Sequence, residues 1–284
     1  MSRTAGRPTG SNARLARYPP VPALARPDLT LHYETRGTGA PLLLVAGLAS
    51  DAASWLTVWQ PLASRYRVVA PDNRGAGRTR PQDAPSSIDA MADDCAALLD
   101  GLGIGQAQVL GHSMGGFVAQ RLALRHPARI RRLVLVATGA APGARNVAVF
   151  RDMARRLDAG EAPDAWFRRL FSLIFTARFL ADPANAEAAL RWALDYPYPQ
   201  SAAAFRHQVE AIAAFDGSAD LGRLAAPALV IAGAEDILFR ADDVAAFAAR
   251  LPDAQFVALE GAAHAVHTEQ PRSFVDTVAA FLDA

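Results

Sequence analysis

Two patterns of hydrophobic and polar positions alternate along the chain after residue 28. The first is a set of short apolar runs: LLLVAG (42–47), RVVAPD (67–72), AQVLGHS (107–113), RRLVLVAT (131–138), PALVIAGAED (227–236) and AQFVALEGAAH (254–264). Apolar and β-branched residues over so few positions predict strands buried on both faces. LTLHYETRG (29–37) alternates apolar with polar residues and runs into Gly39 and Pro41, which predicts a strand entering a hairpin. The second pattern has the helical period. Ile88, Met91, Cys95, Leu98 and Leu99 share one face of 87–103, GGFVAQRLALRHP (115–127) stops at a proline, and a last helix is predicted over 271–282.

Strands that alternate with helices predict an α/β fold, a mostly parallel sheet flanked by helices. That rhythm stops between about 143 and 222, where four helices (146–159, 164–175, 183–194 and 201–215) are expected with no strand between them. An all-helical insertion between two strands reads as a lid, so the expected organisation is a core of 28–142 and 223–284 and a cap of 143–222. Residues 1–27 carry neither period and are expected to form a poorly ordered tail.

Composition narrows the setting. With 284 residues, 51% of them hydrophobic, the chain can bury one sizeable core. A net charge of +1 provides no field to attract nucleic acid or an anionic membrane. All the basic side chains are arginine, which together with abundant alanine points to GC-rich coding more than to a binding surface. Cys95 stands alone, which excludes an intramolecular disulfide and a secreted disulfide scaffold. No apolar run has signal-peptide or membrane-spanning length. The expectation is a soluble cytoplasmic protein with a small-molecule substrate and neither nucleic acid nor membrane as partner; no pattern specifies an oligomeric state.

Candidate chemistry begins at GHSMGG (111–116), where Ser113 stands between glycines two residues away on each side. As an isolated pattern this could be a serine N-cap in a glycine-rich turn. Here it lies where a predicted buried strand passes into a predicted helix, the setting in which G-x-S-x-G holds a serine out on a strained turn. Bulky residues at Gly111 or Gly115 would clash with the neighbouring strand and helix. A serine hydroxyl needs a base. His264 follows the last strand in EGAAHAVHTEQP, a small-residue loop that lets an imidazole reach across the sheet edge. His267 is the competitor, expected to begin the final helix in a structural or surface role. His112 is expected to point away from the serine, His126 to cap a helix end, and His32 and His207 to lie in the first strand and the insertion. Asp236 ends the preceding strand and would orient the base, while its neighbour Glu235 should face the other way on an extended chain.

Three groups ordered Ser113, Asp236, His264 at three strand ends resemble the α/β-hydrolases, and the resemblance covers nearly everything after residue 28. PLLLVAGLASDAASW (41–55) is similar to the family's strand and oxyanion loop, and PDNRGAGRT (71–79) to its Asp-x-Arg-Gly-x-Gly turn. The resemblance implies an α/β-hydrolase fold with a helical cap, closest to enol-lactonase-like and cofactor-free haloperoxidase-like members. It also implies an oxyanion held by the backbone N–H groups of Leu48 and Met114, with no cofactor and no metal. Ala46 replaces the family's usual histidine before Gly47, so altered support of that loop is expected, and Thr79 replaces a usual serine. A serine nucleophile makes the aspartate-dependent dehalogenases and epoxide hydrolases poor guides.

The expected reaction is acyl transfer on a small to medium carboxylic ester or lactone. The same triad can also support C–C hydrolysis, perhydrolysis or hydroxynitrile cleavage, and a non-catalytic ligand receptor is the non-enzyme alternative. Among the aromatics, Trp55, Trp59, Trp166, Phe167, Phe171, Phe175, Phe179, Trp192, Tyr196, Tyr198 and Phe205 divide between the cap's own core and the cleft wall. An uncharged, partly apolar substrate fits such a wall, unless Arg168, Arg169 or Arg206 reaches inward.

Overall fold

The computed structural model describes residues 22–284. Eight strands, β1 (Ala23–Ala25), β2 (Thr30–Arg36), β3 (Ala40–Val45), β4 (Tyr66–Pro71), β5 (Ala107–His112), β6 (Ile130–Val136), β7 (Ala228–Gly233) and β8 (Ala254–Leu259), form one sheet in the order β1-β2-β4-β3-β5-β6-β7-β8. From β4 to β8 every neighbouring pair is parallel; β1 and β2 add an antiparallel edge.

Side chains along the central strands alternate between two apolar layers, as the period of two requires. Leu43 and Val45 of β3, Leu133 and Leu135 of β6 and Val230 of β7 enter one layer; Leu42, Leu44, Val134, Val136, Leu229 and Ile231 enter the other. The first layer is closed by α2 (Ile88–Gly101), α3 (Met114–Arg125) and α9 (Ala241–Ala248), the second by α1 (Leu56–Ala63) and α11 (Pro271–Leu282). The cap comprises α4 (Ala144–Asp158), α5 (Pro163–Ile174), α6 (Ala177–Ala181), α7 (Pro183–Leu194) and α8 (Ala202–Ala213), and a single turn, α10 (Val266–Glu269), precedes α11. Ser87, Thr176, Asp182 and Ser201 start α2, α6, α7 and α8 by accepting hydrogen bonds from first-turn N–H groups. The inward face of the cap, with Phe150, Met153, Trp166, Phe205 and Val209, packs into the first layer, each such side chain contributing about 1.5–3 kcal/mol by burial.

Two edge features differ from expectation. Ala23–Ala25, placed in the tail by its lack of period, pairs with β2, and Arg26 Nε donates to Asp94 Oδ1 at 3.0 Å; residues 1–21 of the expected tail lie outside the described residues. The hairpin expected after 29–37 does not form. The polar alternation of β2 suits an outer position, so it pairs antiparallel with β4, whereas the wholly apolar β3 lies between β4 and β5. β8 is an edge strand with one exposed face, not a strand buried on both faces. No helix among the described residues is long and apolar enough to cross a membrane.

Candidate active site

Chain order in the sheet reverses beside β3: the path runs to β4 on one side and then to β5 on the other. The crevice at the C-terminal ends of β3 and β5 is where open α/β sheets bind ligands. Ser113 stands there, between β5 and α3, with φ 54° and ψ −118°. A non-glycine residue in that conformation is strained and persists only where the surroundings fix it. They do so through the adjacent glycines. A Cβ at Gly111 would lie 2.2 Å from the Gly115 carbonyl oxygen, and one at Gly115 would lie 2.0 Å from that of Val45. Ser113 N–H donates to Val136 O at 2.8 Å, and its carbonyl accepts from Thr138 Oγ1 at 3.0 Å.

Beyond β7 and β8 the chain brings Asp236 and His264 together. His264 Nδ1 donates to Asp236 Oδ2 at 2.8 Å, while Asp236 Oδ1 accepts from the N–H groups of Leu238 (2.7 Å) and Phe239 (3.1 Å). With Nδ1 carrying the proton, Nε2 of a neutral ring is left as a base. The Phe239 ring stacks beside that imidazole, with the centroids 5.8 Å apart and the planes 19° from parallel. Ser113 and His264 line one cavity, and Ser113, Asp236 and His264 are all more than nine-tenths buried. Glu235 is exposed, and it lies in the turn after β7, not on an extended chain.

Two histidines stand differently from expectation. His112 does not point away: it lines the same cavity and its Nε2 donates to the His264 carbonyl at 2.9 Å, tying the serine turn to the histidine loop. Burial, with His264 and His267 nearby, pushes its pKa well below the ordinary value, so the ring is neutral. His267 lies in the separate turn α10, not in the final helix. It is buried, lines the cavity and packs on Trp55 at 4.7 Å, and burial lowers its pKa to about 4.

The loop after β3 presents Leu48 to the cavity, and Met114 opens α3, where its N–H has no acceptor within the helix. Asn73 Nδ2 donates to the Ala46 carbonyl at 2.9 Å, supporting this loop without the family's usual histidine. Thr79 bridges the arginine turn to β2, donating to Asp72 O at 2.6 Å and accepting from His32 N–H at 3.0 Å. Three further residues hold the cap on the core. Gln208 donates to Arg74 O at 2.7 Å and accepts from Ala49 N–H at 3.4 Å. Glu269 accepts from Thr176 Oγ1 (2.7 Å) and Ala263 N–H (2.8 Å), and Tyr196 Oη donates to Asp51 Oδ2 at 2.6 Å. Only the general alternation, and no local pattern, hints at these pairs, because their partners lie far away in sequence.

The cavity holds about 450 Å³ and is walled by Phe150, Phe167, Phe171, Phe175, Phe179 and Phe205 among other apolar side chains. Trp55 and Trp59 lie instead in the second apolar layer. None of Arg168, Arg169 and Arg206 reaches inward. Arg169 pairs with Glu161 and Arg206 with Asp158 at the surface, and Arg168 is exposed. The described residues include no group of three side chains able to hold a metal ion.

At 30% identity over 256 residues, covering 89% of this chain and 95% of the relative, the chain is similar to a protein of Azorhizobium caulinodans provisionally named carbamate hydrolase RutD. Its fold is similar to that of an enol-lactonase from Burkholderia xenovorans LB400 (TM-score 0.84, 28% identity, covering 93% of this chain and all of the other). It is also similar to that of a thermophilic esterase from Thermogutta terrifontis (TM-score 0.80, 28% identity, 93% and 97% covered). The family model of the alpha/beta hydrolase fold matches residues 40–271, which makes this chain a member of the α/β-hydrolase family.

Proposed function

We propose that the protein is a serine hydrolase that cleaves a small to medium carboxylic ester or lactone through an acyl-enzyme on Ser113. The observation that carries this is the strained Ser113 in one apolar cavity with a histidine oriented by a buried carboxylate. His264 Nε2 takes the Ser113 proton as Oγ attacks the acyl carbon. The backbone N–H groups of Leu48 and Met114 receive the negative charge that develops on the carbonyl oxygen. His264 then protonates the departing alkoxide, the C–O bond breaks, and the alcohol leaves, or stays attached when the substrate is a lactone. Water, deprotonated by the same imidazole, attacks the acyl-enzyme, and the serine recovers its proton as the acid is released. Asp236 holds the tautomer and stabilises the imidazolium. No metal or organic cofactor is needed for these steps, and the predominantly apolar wall suits an uncharged acyl group.

The test is hydrolysis of p-nitrophenyl esters of increasing acyl length, simple lactones and an aryl carbamate, with Ser113→Ala as the blank. The expected result is turnover of esters or lactones with an acyl-length optimum and a dead blank. Turnover of the carbamate alone would move the substrate class toward that of the carbamate hydrolase relative, and equal turnover by Ser113→Ala would overturn the role of Ser113.

A further inference from the structure

A second chamber of about 240 Å³ opens beside the first, under the α7–α8 segment of the cap. The two share Ser50, Ser54, Phe167 and Trp192 as lining residues, so the second chamber lies directly beside the one that Ser113 lines. Its chemistry differs from that of the first. Asp51, Glu161 and Gln200 line it among the rings of Trp166, Trp192, Tyr196 and Tyr198. Glu161 Oε2 and Gln200 Oε1 are buried without a partner, and both are acceptors. Glu161 engages Arg169 at 3.3 Å and Arg156 at 3.7 Å through Oε1 alone.

Asp51 carries the decisive imbalance. It is 6% exposed, and its hydrogen-bond donors are the uncharged Tyr196 hydroxyl and the Ala53 N–H. Asp72 lies beside it, with both carboxylates close to Gly77. The guanidinium in this network, Arg78, is already engaged by Asp72 at 3.1 Å and Glu34 at 2.8 Å, and it also lies over Tyr198. His32, 4.0 Å from Asp72, is kept neutral by burial. A buried carboxylate without a directly paired base is unfavourable; Arg78 acts on Asp51 only through space while its guanidinium pairs with Asp72 and Glu34. Carboxylate and amide acceptors that line one chamber together with aromatic rings suit an organic cation, held by charge and by π faces.

We propose that this chamber binds an alkylammonium group carried by the substrate, with Asp51 as counter-charge and Trp192 as aromatic wall. That the cation belongs to the substrate rests on the serine-hydrolase function proposed above; that the chamber takes a cation does not.

The test uses choline and its uncharged isostere 3,3-dimethylbutan-1-ol. Each is titrated calorimetrically into the full-length Ser113→Ala protein and used to inhibit p-nitrophenyl acetate hydrolysis by the wild type. The expected result is at least tenfold tighter binding of choline, competitive inhibition, and collapse of the ratio toward one in Asp51→Asn. Asparagine keeps one acceptor oxygen for the Ala53 N–H that caps the local turn, and its amide N–H group faces the Tyr196 hydroxyl oxygen as a donor. Trp192→Leu, at a half-exposed position where folding is not at stake, is expected to lower the ratio severalfold. Equal affinities for the two probes, or a preference that survives both substitutions, would overturn the proposal. If p-nitrophenyl acetate is not hydrolysed while choline still binds preferentially, the serine-hydrolase function fails and the cation site stands. If the ester is hydrolysed and choline shows no preference, the reverse holds.

Discussion

At Ser113 a single backbone conformation carries much of the proposed chemistry. The positive φ aims Oγ into the cavity, and the glycines at 111 and 115 leave room for it. Ser113→Ala is expected to retain the fold, since the residue makes its structural contacts through its backbone, and to lower kcat by about 10⁴-fold or more, by analogy with other triads. Asp236→Asn is expected to lower kcat by about 10⁴-fold, because an amide in that position favours the wrong imidazole tautomer. Circular dichroism beside ester kinetics checks both, and near-native turnover in either variant would remove that residue from the mechanism. These residues are legible in sequence because each sits at the end of an apolar run, where the chain must leave the sheet. His112 and His267 are misread by the same logic. Where a side chain packs after a turn depends on its neighbours in space, and here each imidazole is enclosed by other rings. Asp51 carries no signal at all, since its partner Tyr196 stands 145 positions away.

Among the elements, the buried strands, α2, α3, α11 and four of the five cap helices follow from hydrophobic period, with bounds within a few residues of those expected, whereas α6 has no counterpart among the expected helices. The other short elements do not follow from that period either. α1 contains Pro61, α9 is eight residues long, and the three-residue β1 gains its meaning only from pairing with β2. Strand partners are equally hidden, because alternation in β2 states that one side is exposed but not which strand covers the other. The same limit hides the contact that seats the cap. Gln208 of α8 is wholly buried and joins Arg74 O, Ala49 N–H and Gln200, so one amide links the cap to the loop that presents Leu48. Gln208→Leu leaves those backbone groups unpaired, with an expected loss of about 1–3 kcal/mol. The loss should concentrate in the cap, seen as faster proteolysis within 143–222 and a raised KM at unchanged acyl-length preference. Uniform destabilisation without a change in KM would show that the amide serves the core alone.

For the molecule as a whole, the buried titratable groups set how stability responds to pH, and they act in opposite directions. His32, His112 and His267 are all held neutral by burial. Below the ordinary histidine value the unfolded chain takes up protons that the folded one refuses, so stability falls with decreasing pH. For His267 the window runs from 6.5 down to about 4, worth on the order of 3 kcal/mol. Asp51 opposes this. Burial and the neighbouring Asp72 raise its pKa from 3.8 to about 6, so the folded state holds the extra proton in that window. Its contribution therefore declines as pH rises from about 4 to 6, by an amount on the order of 3 kcal/mol. Three histidines outweigh one aspartate, and urea midpoints are expected to fall between pH 7 and pH 5. His267→Asn removes a proton acceptor of the unfolded state and should shrink that fall. Asp51→Asn removes the opposing group, so it should raise the midpoint at pH 7 and steepen the fall. Midpoint curves for the two variants that run parallel to the wild type would show that these buried groups do not govern the acid response. An opposite sign for Asp51→Asn would mean that its carboxylate already has a counter-charge in solution, which the choline titration would then have to displace.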